Sequence, residues 1–215
     1  MSETDSFIEE VTEEVRRDRL FALMRRYGWI GVVAILGIVG GAAWTEWTKA
    51  QERAKAEGFG DAMLASMSAE DPLAAVGAIA AEPGAQEAVR AMMEAGRMQM
   101  AGNSAGAVAA LAPVANDASL PKSLSDLAKL KSVLVGADTM DAAARASLLD
   151  ELAVPGAPYR PLAMEQQALA ELSAGNQDAA IALLTQILAE AGTTPGLQQR
   201  ASELMVALGA DPSAQ

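Results

Sequence analysis

Two hydrophobic patterns divide the chain. From Tyr27 to Thr45 the sequence is apolar all round: YGWIGVVAILGIVGGAAWT, nineteen residues without a charge. An α-helix rises about 1.5 Å per residue and a bilayer's hydrocarbon core is about 30 Å thick, so this stretch is just long enough to span. Tyr27 and Trp29 stand at one end, Trp44 and Trp47 at the other. Amphipathic rings favour the headgroup level, so the two pairs read as an aromatic belt. A buried core helix would show a polar face and no paired aromatic ends. A cleaved signal peptide could use Gly41-Ala42-Ala43, but its leader would be short and basic. Here 26 residues with seven acids precede the span.

Beyond the span the pattern changes to apolar-periodic runs of helix length, separated by Gly, Pro and Asn. The breakers are Pro72, Pro83-Gly84, Gly102-Asn103, Pro121, Gly136, Pro155-Gly156, Pro158, Pro161, Gly175-Asn176, Pro195-Gly196 and Gly209. Short loops make neighbouring helices antiparallel. Gly102, Gly136, Gly175 and Gly209 are 34, 39 and 34 residues apart, and a period of about 34 is that of tetratricopeptide hairpins. Aligned on these glycines, Ala107 and Ala180 lie five residues on and Leu111 and Leu184 nine on. Ala95, Ala168 and Ser202 lie seven before. The small residues let paired helices approach, and each Leu fills the groove between hairpins.

At the third hairpin Lys129 and Asp141 stand at the small sites, and the longer spacing places an insertion around Val154–Pro161. The predicted hairpins are 54–81, 84–116, 121–153 and 161–191, with a capping helix at 196–208. The first helix of the membrane-proximal hairpin can continue the span. The expected fold is all-α: a single N-terminal transmembrane helix followed by an α-solenoid of degenerate tetratricopeptide-like helical hairpins. The domains are 1–26, a cytoplasmic tail; 27–47, the transmembrane helix; and 48–215, a periplasmic helical domain.

The N-terminal tail reads as an amphipathic helix over 6–25. Ser6 and Glu9 form a capping box. Glu9, Glu10, Glu13 and Glu14 come early and the arginines late, which complements the helix dipole. Phe7, Val11, Val15, Leu20, Leu23 and Met24 give it a partial apolar face, suited to docking on lipid or a membrane partner, or simply to a solvated lead-in.

Charge sets orientation and excludes some functions. Arg16, Arg17, Arg19, Arg25 and Arg26 precede the span; Lys49, Arg53 and Lys55 follow it. Five against three favours a cytoplasmic N-terminus. A net charge of -12 argues against binding nucleic acid. The chain has no His and no Cys, so the commonest general base, zinc ligand and thiolate nucleophile are all missing. Adjacent acids such as Asp150 and Glu151 point apart on a helix and read as a solvated face. No catalytic, metal or cofactor site is expected.

Binding is expected instead. The concave face of such a stack is lined by the first helix of each hairpin. By register it comprises Met92, Gln99, Met100, Asp126, Leu130, Val133, Glu165, Leu169 and Leu172. Met63, Met67, Met92, Met93, Met98 and Met100 gather in the first two hairpins, where Met suits either promiscuous recognition or gap-filling between Ala-rich helices. Within the span Gly37, Gly40 and Gly41 form a small-residue face that a partner helix could approach.

The order of parts resembles the YfgM-type ancillary subunits of the Sec translocon. A charged tail leads to a Gly-rich span ending in Trp44-Thr45-Glu46-Trp47, and a degenerate repeat domain follows. The resemblance covers nearly the whole chain, although the tail is longer than is usual in that family. It implies a non-enzymatic inner-membrane chaperone or adaptor facing the periplasm, with translocon subunits and periplasmic chaperones as partners. The alternatives are an assembly or structural subunit of another inner-membrane complex, such as a respiratory one, and a cytoplasm-facing scaffold.

Overall fold

The computed structural model describes the backbone of residues 3–212 and the side chains of residues 24–212. Among the described residues every regular element is helical: α1 (Glu3–Met67), α2 (Pro72–Gly77), α3 (Ala85–Met100), α4 (Ser104–Ala115), α5 (Lys122–Val135), α6 (Ala142–Leu152), α7 (Arg160–Ser173), α8 (Gln177–Ala189) and α9 (Pro195–Ala207). The fold is all-α. The chain forms two units, one up to Gly58 and one from Phe59 on. The second unit begins later than residue 48 because residues 49–58 are a fully exposed stretch of α1.

In the first unit the backbone from Glu3 is helical. The capping box at Ser6 and the apolar face from Phe7 to Leu23 fall outside the residues whose side chains are described. Within Met24–Met67 an 18-residue window reaches a mean hydropathy of 1.7, and none of it is buried. Ile38 is 73% exposed. A core helix with this composition would be covered by protein, so that reading is gone. By length and composition this helix can cross a membrane. Trp44 and Trp47 hold their rings 5.5 Å apart, and the Arg26 guanidinium lies 5.8 Å from the Tyr27 ring centre. Cation and ring thus sit together at the N-terminal end of the apolar stretch.

In the second unit helices pack with their neighbours in the chain, α3 on α4, α4 on α5 and so on to α9. The first helices of successive hairpins also meet, α3 with α5 and α7 with α9. The core follows suit as three clusters. Ala88, Ala95, Ala107, Leu111, Val114 and Ala128 join α3, α4 and α5. Leu130, Val133, Leu149, Leu152 and Ala163 join α5, α6 and α7. Met164, Ala168, Ala180, Leu184, Ile187 and Leu197 join α7, α8 and α9.

The helix ends show why the chain folds back where it does. Gly102, Gly175 and Gly209 have φ of 77°, 84° and 79°, which a side chain would resist. Each closes the same left-handed cap. Asn103 N–H donates to Met98 O at 2.8 Å, Asn176 N–H to Glu171 O at 2.8 Å, and Ala210 N–H to Met205 O at 2.9 Å.

Gly136 is different. Its φ is -85° and it is itself the cap of α5. A Cβ there would stand 3.0 Å from Val108 Cγ2 and 3.2 Å from Met140 Cβ. Gly136 is therefore a packing glycine under α4, and aligning it with the turn glycines shifts the third hairpin by one residue. That shift explains Lys129. Counted from the caps Ala101, Gly136 and Ala174, the α5 counterpart of the buried Ala95 and Ala168 is Leu130, also buried, while Lys129 pairs with Glu151 at 2.6 Å. In α9, which ends in the same cap as α3 and α7, the register holds, and Ser202 stands half-buried at that site beside the buried Ala201.

The extra length of the third hairpin also lies elsewhere than expected. Residues 101–103 join α3 to α4 and 174–176 join α7 to α8, but 136–141 join α5 to α6. The insertion is chiefly in this turn, rather than around Val154–Pro161, because Gly136 packs instead of turning and leaves Asp141 to start the next helix. The first predicted hairpin is curtailed too. Its second helix is only α2, capped by the Asp71 carboxylate on Ala74 N–H and begun at Pro72. The other predicted hairpins and the helix near 196–208 match the observed ones to within a residue or two.

Candidate functional site

The nine residues assigned to a concave face do not share one surface. Asp126, Leu130 and Val133 are 1%, 4% and 0% exposed. They are core, because α5 packs against α3, α4 and α6. Asp126 receives the Lys122 ammonium at 3.0 Å. Met92 and Leu172 are half-buried against the clusters of their own hairpins. Glu165 accepts two hydrogen bonds from Arg200, Nε at 2.7 Å and Nη2 at 2.9 Å. This fork holds the Arg200 guanidinium above its ordinary pKa, chiefly through the hydrogen bonds and then through the charge of Glu165. Gln99, Met100 and Leu169 are exposed, Met100 at 80% and Leu169 at 40%. Met67, 52% exposed, and Leu64, 67% exposed, are further apolar surface in the second unit. In the apolar span Gly37, Gly40 and Gly41 have nothing within 4 Å of where a Cβ would stand.

A groove that sequence reasoning missed opens among α6, α7 and α8. Its volume is about 700 Å³, and Ala137, Met140, Arg145, Leu149, Ala170 and Leu183 line it. Arg145 donates from Nη2 to Gln166 Oε1 at 3.3 Å. Its Nε is buried and makes no hydrogen bond. Two acids border the groove and are held by amides: Asp150 accepts from Gln167 Nε2 at 2.9 Å and Glu171 from Asn176 Nδ2 at 2.8 Å.

Counting from the helix caps rather than from the glycines reveals what Arg145 replaces. Asn103, Asp141 and Asn176 are the N-caps of α4, α6 and α8. Eight residues on lie Leu111, Leu149 and Leu184; eleven on lie Val114, Leu152 and Ile187. All six are buried. Four residues on lie Ala107, Arg145 and Ala180. Ala107 and Ala180 are fully enclosed. A guanidinium cannot occupy that volume, and α6 meets α7 over fewer residues than α4 meets α5. The arginine and the groove belong to the same departure from the repeat.

A smaller pocket of about 420 Å³ is lined by Gly156, Pro158, Tyr159, Gly192 and Thr194. Glu190, also in its lining, pairs with Arg160, which donates from Nε to Ala153 O at 2.9 Å. Among the described residues no group of three His, Cys, Asp or Glu could hold a metal ion. No family model, curated protein or solved structure matches this chain.

Proposed function

We propose that the protein is a non-enzymatic interaction module, anchored in a bacterial inner membrane by the apolar part of α1. Its second unit is a degenerate tetratricopeptide-like stack of hairpins. The observation that carries the reading is the pairing of an apolar window with none of its surface buried and a separate unit of sequentially packed hairpins. Three recurring caps at Gly102, Gly175 and Gly209 support the repeat character, as do the matched Leu111, Leu149 and Leu184. Sequential packing of this kind builds extended binding surfaces. The absence of His and Cys from the sequence supports a non-catalytic role.

Five basic residues before the span and three after it support a cytoplasmic N-terminus and a periplasmic second unit. Together with the resemblance to YfgM-type subunits, this favours an adaptor or chaperone at the Sec translocon, receiving newly exported proteins. Affinity capture from native membranes in mild detergent, through a C-terminal tag, tests it. Translocon subunits with a periplasmic chaperone are the expected catch. Protease added to spheroplasts should digest the second unit; full protection would reverse the topology.

A second reading rests on Gly37, Gly40 and Gly41, which leave room for another helix against α1. It makes the protein a structural or assembly subunit of a different membrane complex. Recovery of one such complex in fixed stoichiometry, without the translocon, would replace the first reading.

A further inference from the structure

The Arg145 groove combines features that a gap between helices would not need. An arginine stands where the flanking hairpins carry an enclosed alanine, Ala107 and Ala180. Its one hydrogen bond goes to a neutral amide, and its Nε is buried unpaired. Among the described residues no carboxylate lies within ion-pair distance of it, although Arg90, Arg160 and Arg200 each have one. The Nε is covered by protein, so a ligand in the groove would meet Arg145 through the rest of its guanidinium, which has no charged partner. The planar guanidinium fork suits a carboxylate.

The surroundings narrow what can bring that carboxylate. Met140, Leu149 and Leu183 make much of the wall apolar. Asp150 and Glu171 at the border, in a chain of net charge -12, repel a ligand carrying several negative charges, such as a phosphate or an acidic stretch. What fits is a single carboxylate on an apolar body. A volume of about 700 Å³ is in the range of ligand-binding pockets. A chain end needs room on one side of its carboxylate only.

We propose that this groove receives the C-terminal carboxylate of an apolar peptide, which pairs with the Arg145 guanidinium while the preceding side chains lie against Met140, Leu149 and Leu183. The proposal rests on the protein-binding reading and gives it a chemistry: recognition of an apolar polypeptide end.

The test uses the full chain in lipid nanodiscs, with empty nanodiscs as the blank. Fluorescence anisotropy is read with dansyl-labelled Ala-Leu-Ala as the free acid, as the C-terminal amide, and as an amide with an internal Glu. The free acid is expected to bind about ten- to a hundred-fold more tightly than either amide. Arg145→Gln should remove that preference and Arg145→Lys should keep part of it. Ala170→Trp, at an exposed wall position, should weaken free-acid binding even if Arg145→Gln lowers the helical content. Equal binding of acid and amide, no binding, or a preference that survives both Arg145→Gln and Ala170→Trp would overturn the proposal. Binding of the internal Glu peptide as tight as that of the free acid would overturn the chain-end assignment. Membrane capture of translocon subunits is unaffected by any of these results, so this proposal can fail without the broader reading failing.

Discussion

Set beside the hairpin α3–α4, the hairpin α5–α6 keeps the two core positions of its second helix and loses the small residue before them. Leu149 stands for Leu111 and Leu152 for Val114, all buried, but Arg145 stands for Ala107. The turn differs as well. One hairpin turns at a left-handed glycine; the other packs its glycine under Val108 and turns over six residues, 136–141. The comparison teaches that the repeat is conserved within the chain where hairpins share a core, and released where a groove opens. Core positions must be filled to close density, whereas a turn can lengthen at little cost.

The comparison is broken most severely by changing its shared part. Leu111→Ala and Leu149→Ala should each cost about 2–5 kcal/mol, since both leucines are enclosed. Thermal loss of helical ellipticity, read on the full chain in detergent, compares them, and similar shifts would establish their equivalence. Next in size is an exchange at the divergent position. Ala107→Arg places an unpaired charge in an enclosed site and should cost about 3 kcal/mol or more. Arg145→Ala should change stability by less than about 1 kcal/mol, as it frees a buried unpaired donor.

The glycines separate the two turns. Gly136→Ala meets Val108 and should cost about 1–3 kcal/mol. Gly102→Ala meets open space and suffers only its positive φ, about 1 kcal/mol. If Gly136→Ala proves the milder change, Gly136 is not a packing residue. The smallest effect concerns Asp117, whose carboxyl is held below its ordinary pKa by hydrogen bonds from the Ser119 side chain and backbone. Its stabilising contribution is present above the ordinary Asp range and is lost as pH falls through the lowered value. Ser119→Ala should raise the Asp117 pKa toward that range, which NMR titration of the carboxyl would show.

How much of this was legible in the sequence can be traced to particular residues. The apolar span, the all-α class and the hairpins of α3–α4, α5–α6 and α7–α8 were readable, because uncharged length and Gly-Asn breakers act locally. The inner face was not. Its assignment depended on Gly136 being a turn glycine, and one residue of slip moves a helical position by about 100°. Asp126, Leu130 and Val133 therefore went from a proposed surface to the core. Arg145 escaped notice for the same reason. Only the caps at Asn103, Asp141 and Asn176 put it in register with Ala107 and Ala180, and Asp141 looked like a misplaced alanine until its carboxylate was seen on Ala143 and Ala144 N–H.

The three successive clusters also set an order of events during synthesis. Each is completed by the first helix of the following hairpin or by α9, so no hairpin can cover its own apolar face before the next helix arrives. The face of α3 and α4 waits for α5, that of α5 and α6 for α7, and that of α7 and α8 for α9. Pausing elongation between α8 and α9 would leave Leu184 and Ile187 uncovered, with folding of the last cluster timed by the arrival of Leu197, Ala201 and Met205.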